Sequence, residues 1–505
     1  MKIRNLLSRI IPILFIVVSE IALSVFLYAK LTSKFYWIEF FIHIIGIIIV
    51  LNIIRTSRHL SSDLMWIIII MLFPVPGTLV YLIMGANLVT GKTFISIYKE
   101  QIRASKYLKQ DKNVKDELDI VDSSYKANFA FIERQGYPFY RNTGFDYFSP
   151  CEKGFKAMID EMKKAKKYIF MEYFIIEEGE MWNTMLDVLI SKSKEGVECR
   201  VMYDDLGSLN TLPASYAKKL NKLGIKAVSF NRISPIINTI MNHRDHRKIL
   251  VIDGKVAFTG GCNLADEYIN IKEKHGHWLD NIVRVKGEAV WSLLVIFLTN
   301  WNALRHEDND YEKFKAKVSF TNEFDGYIAP YAQTPINKEL TAQSIYEDIL
   351  NHATDHVYIM TPYLIIDSEM INTLIHTVKK GVDVRIILPG VADKKIIHDI
   401  GESYYHQLIS AGVRVYEYVP GFVHSKVFEA DDKVAVVGTI NLDYRSLYLH
   451  FENAVFLYGS NKIADIKKDI ENALEKSHQI ELEETRVSLF KDFAIDVLRI
   501  FASLL

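Results

Sequence analysis

Four short stretches of this 505-residue chain occur twice and in the same order. Tyr168–Ile176 (YIFMEYFII) returns as Tyr358–Ile366 (YIMTPYLII), Glu195–Val201 as Lys380–Ile386, Leu223–Val228 as Ala411–Tyr416, and Leu279–Val283 as Phe451–Val455. YIFMEYFII is a continuous apolar run of strand length after a helical stretch, Phe155–Lys167, the alternation expected of an α/β fold with a buried sheet. The chain is therefore expected to hold two copies of one α/β unit, over about 140–310 and about 311–483. Any chemistry carried by the repeat then reaches one cleft in duplicate.

Each copy contains the same constellation. His246, Lys248 and Asp253 spell H-x-K-x4-D, and so do His424, Lys426 and Asp431; a glycine follows each aspartate by seven residues (Gly260, Gly438) and an asparagine by ten (Asn263, Asn441). Side chains two apart on an extended strand project from one face, so each histidine and its lysine aim at one spot. An imidazole beside an ammonium suits a phosphate: the first attacks phosphorus or protonates a leaving oxygen, and the second neutralises the equatorial oxygens. With two copies, one histidine serves as covalent nucleophile and the other as acid, then base. The glycine turns leave room for Asn263 and Asn441 to donate further hydrogen bonds. A nucleophilic imidazole needs its far nitrogen held by an acceptor, and the repeat-equivalent carboxylates Asp280 and Glu452 are the candidates. Asp253 and Asp431 fall past the end of the reacting strand and are expected to hydrogen-bond the loop. No Cys/His cluster or acidic metal box accompanies the motifs, so the lysines are expected to do the work of a metal ion, and no cofactor is implied.

The beginning of the chain is of another kind. Ile10–Leu31 is an apolar run, Tyr36–Ile54 is a second, closed by Arg55 and Arg58, and Leu64–Met84 is a third interrupted by Pro74, Pro76 and Gly77. As a helix the first would be about 30 Å long, one membrane crossing. The expected organisation is a membrane region over 1–106, with spans at about 10–31 and about 36–54 and a re-entrant or third span at about 64–84. A polar connector over 107–139 follows. Through Lys106 there are eleven basic residues against four acidic, a net of +7; the positive-inside rule puts these basic stretches, and with them the α/β units, on the cytoplasmic side. Over the whole chain Lys plus Arg is 60 and Asp plus Glu 61, without the basicity of a nucleic-acid binder. Cys151, Cys199 and Cys262 lie far apart in the sequence with no C-x-x-C pair, so neither a disulfide framework nor a zinc knuckle is readable, and a reducing compartment is expected. Near the end, Phe490, Phe493, Ala494, Val497 and Leu498 form one stripe of an amphipathic helix over 484–505, which packs on the α/β units or lies in a membrane interface.

The paired motifs, with their Gly-Gly or Gly-Thr and Asn followers, resemble the phospholipase D superfamily over about residues 130–480. HRDHRKILVIDGKVAFTGGCNLADEY (His243–Tyr268), YEYVPGFVHSKVF (Tyr416–Phe428) and VGTINLDYRSL (Val437–Leu447), behind an apolar region ending in YLIMG (Tyr81–Gly85), closely resemble bacterial cardiolipin synthases. Cys262 and Ala265 depart from that pattern, where an aromatic and a glycine are common; neither is a catalytic position. The resemblance implies two pseudo-symmetric phospholipase D-like units with mixed sheets flanked by helices. It also implies reversible phosphatidyl transfer between two phosphatidylglycerol molecules, giving cardiolipin and glycerol without metal or nucleotide. It counts His246, Lys248, Asp253, His424, Lys426 and Asp431 as the catalytic set, His246 being the nucleophile and His424 the general acid. The expected partners are phosphatidylglycerol and cardiolipin in a bacterial cell membrane that the chain crosses more than once. Attack of water on the same intermediate, releasing phosphatidic acid, is the alternative, and the motifs leave both open.

Overall fold

The structure, a computed structural model, describes residues 36–56, 60–82, 92–121, 124–232, 242–318, 326–337, 339–486 and 488–500. These fall into two compact units, a smaller one that holds the residues up to 92, 231–232, 242–243 and 488–500, and a larger one of 93–230 and 244–486.

In the smaller unit, the helix Tyr36–Thr56 has Phe40, Phe41, Ile47, Ile48, Leu51 and Ile54 exposed. The helix Leu60–Leu72 ends at Phe73, where Pro74 removes a backbone donor. The short helix Pro74–Val80 folds back: a Cβ on Gly77 would lie 2.5 Å from the Ile69 carbonyl oxygen, and one on Gly46 2.8 Å from the Thr78 hydroxyl. Only glycine permits so close an approach. The C-terminal helix Leu489–Ile500 packs on Leu60–Leu72 and leaves Phe490 and Phe493 exposed. The expected span at 10–31 lies outside the described residues, and among those described no helix is long and apolar enough to cross a membrane.

The larger unit contains the two repeats. The first has strands β1 (Thr143–Phe148), β2 (Tyr168–Tyr173), β3 (Glu198–Asp204), β4 (Lys226–Phe230), β5 (Lys248–Ile252), β6 (Val256–Gly260), the separate β7 (His277–Leu279), and β8 (Ile282–Gly287). Its sheet runs β1-β8-β6-β5-β2-β3-β4, with β2, β3 and β4 parallel and the rest antiparallel. The second repeat follows with β9 (Tyr327–Gln333), β10 (His356–Met360), β11 (Leu364–Ile365), β12 (Asp383–Pro389), β13 (Arg414–Tyr418), β14 (Gly421–Val423), β15 (Val427–Ala430), β16 (Val434–Gly438), β17 (Leu442–Asp443), β18 (Glu452–Tyr458) and β19 (Ser477–Gln479). In its sheet, β19-β13-β12-β10-β15-β16-β18-β9, strands β10, β12 and β13 repeat the parallel trio, and β15, β16 and β18 the antiparallel set.

Burial explains why the repeated runs are apolar without alternation. Every residue of β2 is buried, because the helix Glu180–Lys194 and the helix Val290–Arg305 pack on the sheet it belongs to. The helix Val290–Arg305 is buried almost all round, since it touches β5 of the first sheet and β9 of the second. Residues 107–139 contribute the helices Lys112–Ile120 and Lys126–Arg134, and Phe129 packs edge-on against Phe456 and Tyr458 of β18. Phe129 and Phe139 thereby cover part of the second sheet.

Asp253 and Asp431 occupy equivalent turns with φ of 54° and 56°, a left-handed conformation that aspartate tolerates. Asp253 accepts from the N–H groups of Lys166, Lys167 and Tyr168 at 2.7–2.9 Å, at the start of β2. Asp431 accepts from those of Thr354, Asp355 and His356 at the start of β10, and from the Tyr125 hydroxyl at 2.9 Å. Burial alone would raise the Asp431 pKa, but these donors outweigh it and hold it below the usual carboxylate range. Both aspartates hydrogen-bond backbone N–H groups at the start of a neighbouring strand, whereas the resemblance counts them in the catalytic set. Asp431→Ala is expected to lower the chemical denaturation midpoint of the larger unit, at a cost of about 2–4 kcal/mol for the orphaned donors. Turnover per folded molecule should stay within a few-fold; lost turnover at unchanged stability would put the residue in the chemistry instead.

Candidate active site

Lys248 begins β5 opposite Tyr173, so the first motif enters its strand at the edge where β2, β3 and β4 end. The two repeats are joined at that edge by two short pairings related by the pseudo-two-fold. Strand β7 runs parallel to β14 and places Leu279 opposite Val423, and Asp245 bridges Phe451 in the same sense. The His424 N–H donates to the Leu279 carbonyl at 2.7 Å and the His246 N–H to that of Phe451 at 2.9 Å. In each case the next residue of the facing strand is the candidate carboxylate.

The carboxylates are consequently exchanged between the repeats. His246 Nδ1 donates to Glu452 at 2.9 and 3.0 Å, and His424 Nδ1 donates to Asp280 at 2.6 Å. Facing the Glu452 carboxylate, His246 Nδ1 carries the proton and its Nε2 keeps the lone pair, whereas Asp280, lifted by burial to about 7, shares a further proton with His424, whose Nε2 can then donate it. Lys248 Nζ donates to the His246 carbonyl at 2.6 Å, and Lys426 Nζ to that of His424. Burial, with the charges of Lys248 and Lys426, pushes both histidines well below their ordinary pKa. Burial also brings Lys248 down to about 7 and Lys426 down to about 8, and lifts Asp280 up to about 7. A neutral imidazole with a free lone pair beside two cations that titrate near neutrality is an arrangement that can hold a phosphate and attack its phosphorus.

The two imidazole–carboxylate pairs have different surroundings. Gly261 lies against Asp280, where a Cβ would come within 2.0 Å of the carboxylate. At the equivalent place Thr439 donates its hydroxyl to Glu452. Trp278, two residues before Asp280, lies 5.5 Å from the His424 ring; His450, two residues before Glu452, lies 5.7 Å from the His246 ring. Burial holds His450 neutral, down to about 3, and its Nδ1 is 3.7 Å from Glu452, beyond hydrogen-bond reach. Phe174 packs edge-on to His246, Tyr268 does so to His424, and Phe422 stacks on His424. These aromatic walls escaped the sequence reading, although alignment of the repeats places Trp278 and His450 at one position. The asparagines are engaged inside the protein. Asn263 accepts from the Ile175 N–H and donates to the Tyr268 hydroxyl at 2.8 Å, while Asn441 donates to Asp443 at 2.8 Å.

Three sets of side chains among the described residues could gather a metal, and one, His246, His450 and Glu452, is in this site. There the His246 Nδ1 is bonded to Glu452, and the charges of Lys248 and Lys426 act on the same histidine.

Two outcomes follow. Gly261→Ala should displace Asp280 and lower kcat by about 10²-fold at unchanged folding, as small misplacements do; a normal kcat would show that Asp280 is not held where it is drawn. The rate constant kcat/KM should fall with rising pH through about 7 to 8, as the free enzyme's Lys426 and Lys248 lose their protons. The matching limb of kcat should lie higher, because bound phosphate favours the ammonium forms. A kcat/KM flat to pH 9 would contradict the lysine role.

Comparison with known proteins agrees with this geometry. The family described as cardiolipin synthase, PLD-like domain, matches residues 158–292 and 346–474, one match per repeat, and phospholipase D-nuclease N-terminal matches residues 41–85. An uncharacterized protein of Streptococcus mutans is 44% identical over 88% of this chain and 95% of its own. Cardiolipin synthase 2 of Bacillus anthracis is 34% identical over 87% of this chain and 85% of its own, and the cardiolipin synthase of Alkalihalophilus pseudofirmus 33% over 89% and 88%. The crystal structure of phosphatidylserine synthase from Haemophilus influenzae shares the fold, with a TM-score of 0.57 at 15% identity over 76% of this chain and all of that one. Matched in both repeats, and aligned with curated synthases over most of their length, the chain belongs to the cardiolipin synthase family of proteins with paired phospholipase D-like domains.

Proposed function

We propose that this chain is a membrane-bound phosphatidyltransferase that makes cardiolipin from two phosphatidylglycerol molecules. The observation that carries the reading is the pair of exchanged imidazole–carboxylate bonds with a lysine beside each histidine. His246 Nε2 attacks the phosphorus of one phosphatidylglycerol; the P–N bond forms, the P–O bond to glycerol breaks, and His424 protonates the departing glycerol. Glu452 stabilises the positive charge left on His246, and Lys248 and Lys426 offset the charge on the phosphate oxygens. A glycerol hydroxyl of the second phosphatidylglycerol then gives its proton to His424 and attacks, the P–N bond breaks, and cardiolipin leaves. Every step is reversible. Family membership and the cognate names of its relatives support transfer to a lipid hydroxyl over transfer to water. The large apolar side chains that the helix Tyr36–Thr56 exposes, Phe40, Phe41, Ile47, Ile48, Leu51 and Ile54 among them, and the fold-back at Gly77, support anchoring by the smaller unit with a re-entrant third segment. On the charge pattern, the catalytic unit then faces the cytoplasm.

The test is to incubate the purified full chain with phosphatidylglycerol alone. Cardiolipin and glycerol should appear together; phosphatidic acid as the main product would make the protein a hydrolase. His246→Ala and His424→Ala should each abolish most turnover, and a phosphohistidine adduct should be trapped in His424→Ala only. An adduct in His246→Ala would reverse the two roles. Lys248→Ala and Lys426→Ala should each cost on the order of 10²-fold. Excess EDTA should leave the rate within about twofold.

A further inference from the structure

Outside the helix Lys92–Ala104, seven large apolar side chains of the larger unit are exposed among the described residues. Five of them, Leu206, Ile271, Val391, Ile396 and Val419, sit in the connections that leave β3, β6, β12 and β13. Those strands end at the edge where both catalytic histidines stand. Ile396 is 55% and Val419 64% exposed, the latter only five residues before His424. The other two, Leu223 and Ile120, are placed differently: Leu223 precedes β4 at the opposite edge, and Ile120 ends a helix before β1. Apolar side chains scattered at random would not gather around one opening.

We propose that this rim is a docking surface for an anionic bilayer, through which the catalytic unit reaches its lipid without extracting it. The inference rests on the reading that the substrate is a two-chain phospholipid, whose acyl chains strongly resist transfer to water. A cleft that works on such a headgroup must lie at the membrane surface. Charge points to the same occupant. Lys394 and Lys395 lie between Val391 and Ile396, both exposed and neither in an ion pair among the described residues. Both lie in the connection that leaves β12, at the edge where the histidines stand. Apolar tips flanking two lysines match an interface in which hydrocarbon lies beneath phosphate. Both repeats supply tips, which presents the opening to the bilayer from two sides.

The experiment uses the full chain and two substrates, long-chain phosphatidylglycerol in vesicles and dihexanoyl phosphatidylglycerol dispersed below its micelle concentration. Ile396→Asp with Val419→Asp should lower vesicle turnover at least tenfold and leave turnover of the dispersed lipid within about twofold. Ile120→Asp with Leu223→Asp should change neither. Unchanged vesicle turnover in the rim variant, or equal loss on both substrates, overturns the proposal. An environment-sensitive fluorophore on Ile396→Cys, read on the protein without regard to activity, should shift to the blue with phosphatidylglycerol vesicles and less with phosphatidylcholine vesicles. No shift with vesicles, or a shift produced by protein concentration alone, would assign the rim to something other than lipid. Absence of cardiolipin from the unmodified chain on either substrate would refute the reaction and leave the fluorophore to decide the surface.

Discussion

The imidazole of each H-x-K motif is held by a carboxylate from the opposite repeat, and the arrangement of both sheets converges on those two bonds. His246 reaches Glu452 and His424 reaches Asp280 because two short parallel pairings bring the strand ends together with the right register. A slip of one residue would turn the carboxylates to the other face. Neither half can therefore assemble an oriented histidine alone. The buried helix Val290–Arg305 and the aromatic cover supplied by residues 107–139 stabilise the sheets whose edges carry the motifs.

Pseudo-symmetry delivers the histidines in duplicate, but the surroundings then separate them. Glu452 receives the Thr439 hydroxyl and lies near the His450 imidazole. Asp280 is packed against Gly261 and near Trp278, and burial lifts its pKa to about 7. Glu452, which accepts from both the Thr439 hydroxyl and His246, supports an imidazole that becomes cationic on phosphorylation. A carboxylate that titrates near neutrality shares its proton readily with its imidazole, which suits an acid that must turn into a base. The difference is consistent with His246 as nucleophile and His424 as acid.

Much of the site was legible because it is repeated. Two H-x-K-x4-D motifs in one order, with matching glycines and asparagines, show the histidines and lysines, and alignment of Leu279–Val283 with Phe451–Val455 picks out Asp280 and Glu452. That each carboxylate serves the histidine of the other repeat is a property of three-dimensional closure, which no spacing within one repeat records. Gly261 makes room for Asp280, a close approach that spacing along the chain does not record. Phe174 and Phe422 look like ordinary core residues in sequence, since an aromatic wall has no periodicity of its own. The polar composition of 107–139 suggested a connector, but a few well-spaced aromatics, Tyr125, Phe129 and Phe139, are enough to bury one face of it.

The exchange of carboxylates is best tested by nitrogen NMR of the full chain labelled at histidine, read in Asp280→Asn and Glu452→Gln. The account predicts that His246 carries its proton on Nδ1 in the unmodified protein and that His424 shares a further proton with Asp280. Asp280→Asn should then move only the His424 resonances and Glu452→Gln only those of His246. If Asp280→Asn instead moves His246, the histidine of its own repeat, and leaves His424 unchanged, the cross-repeat pairing is wrong.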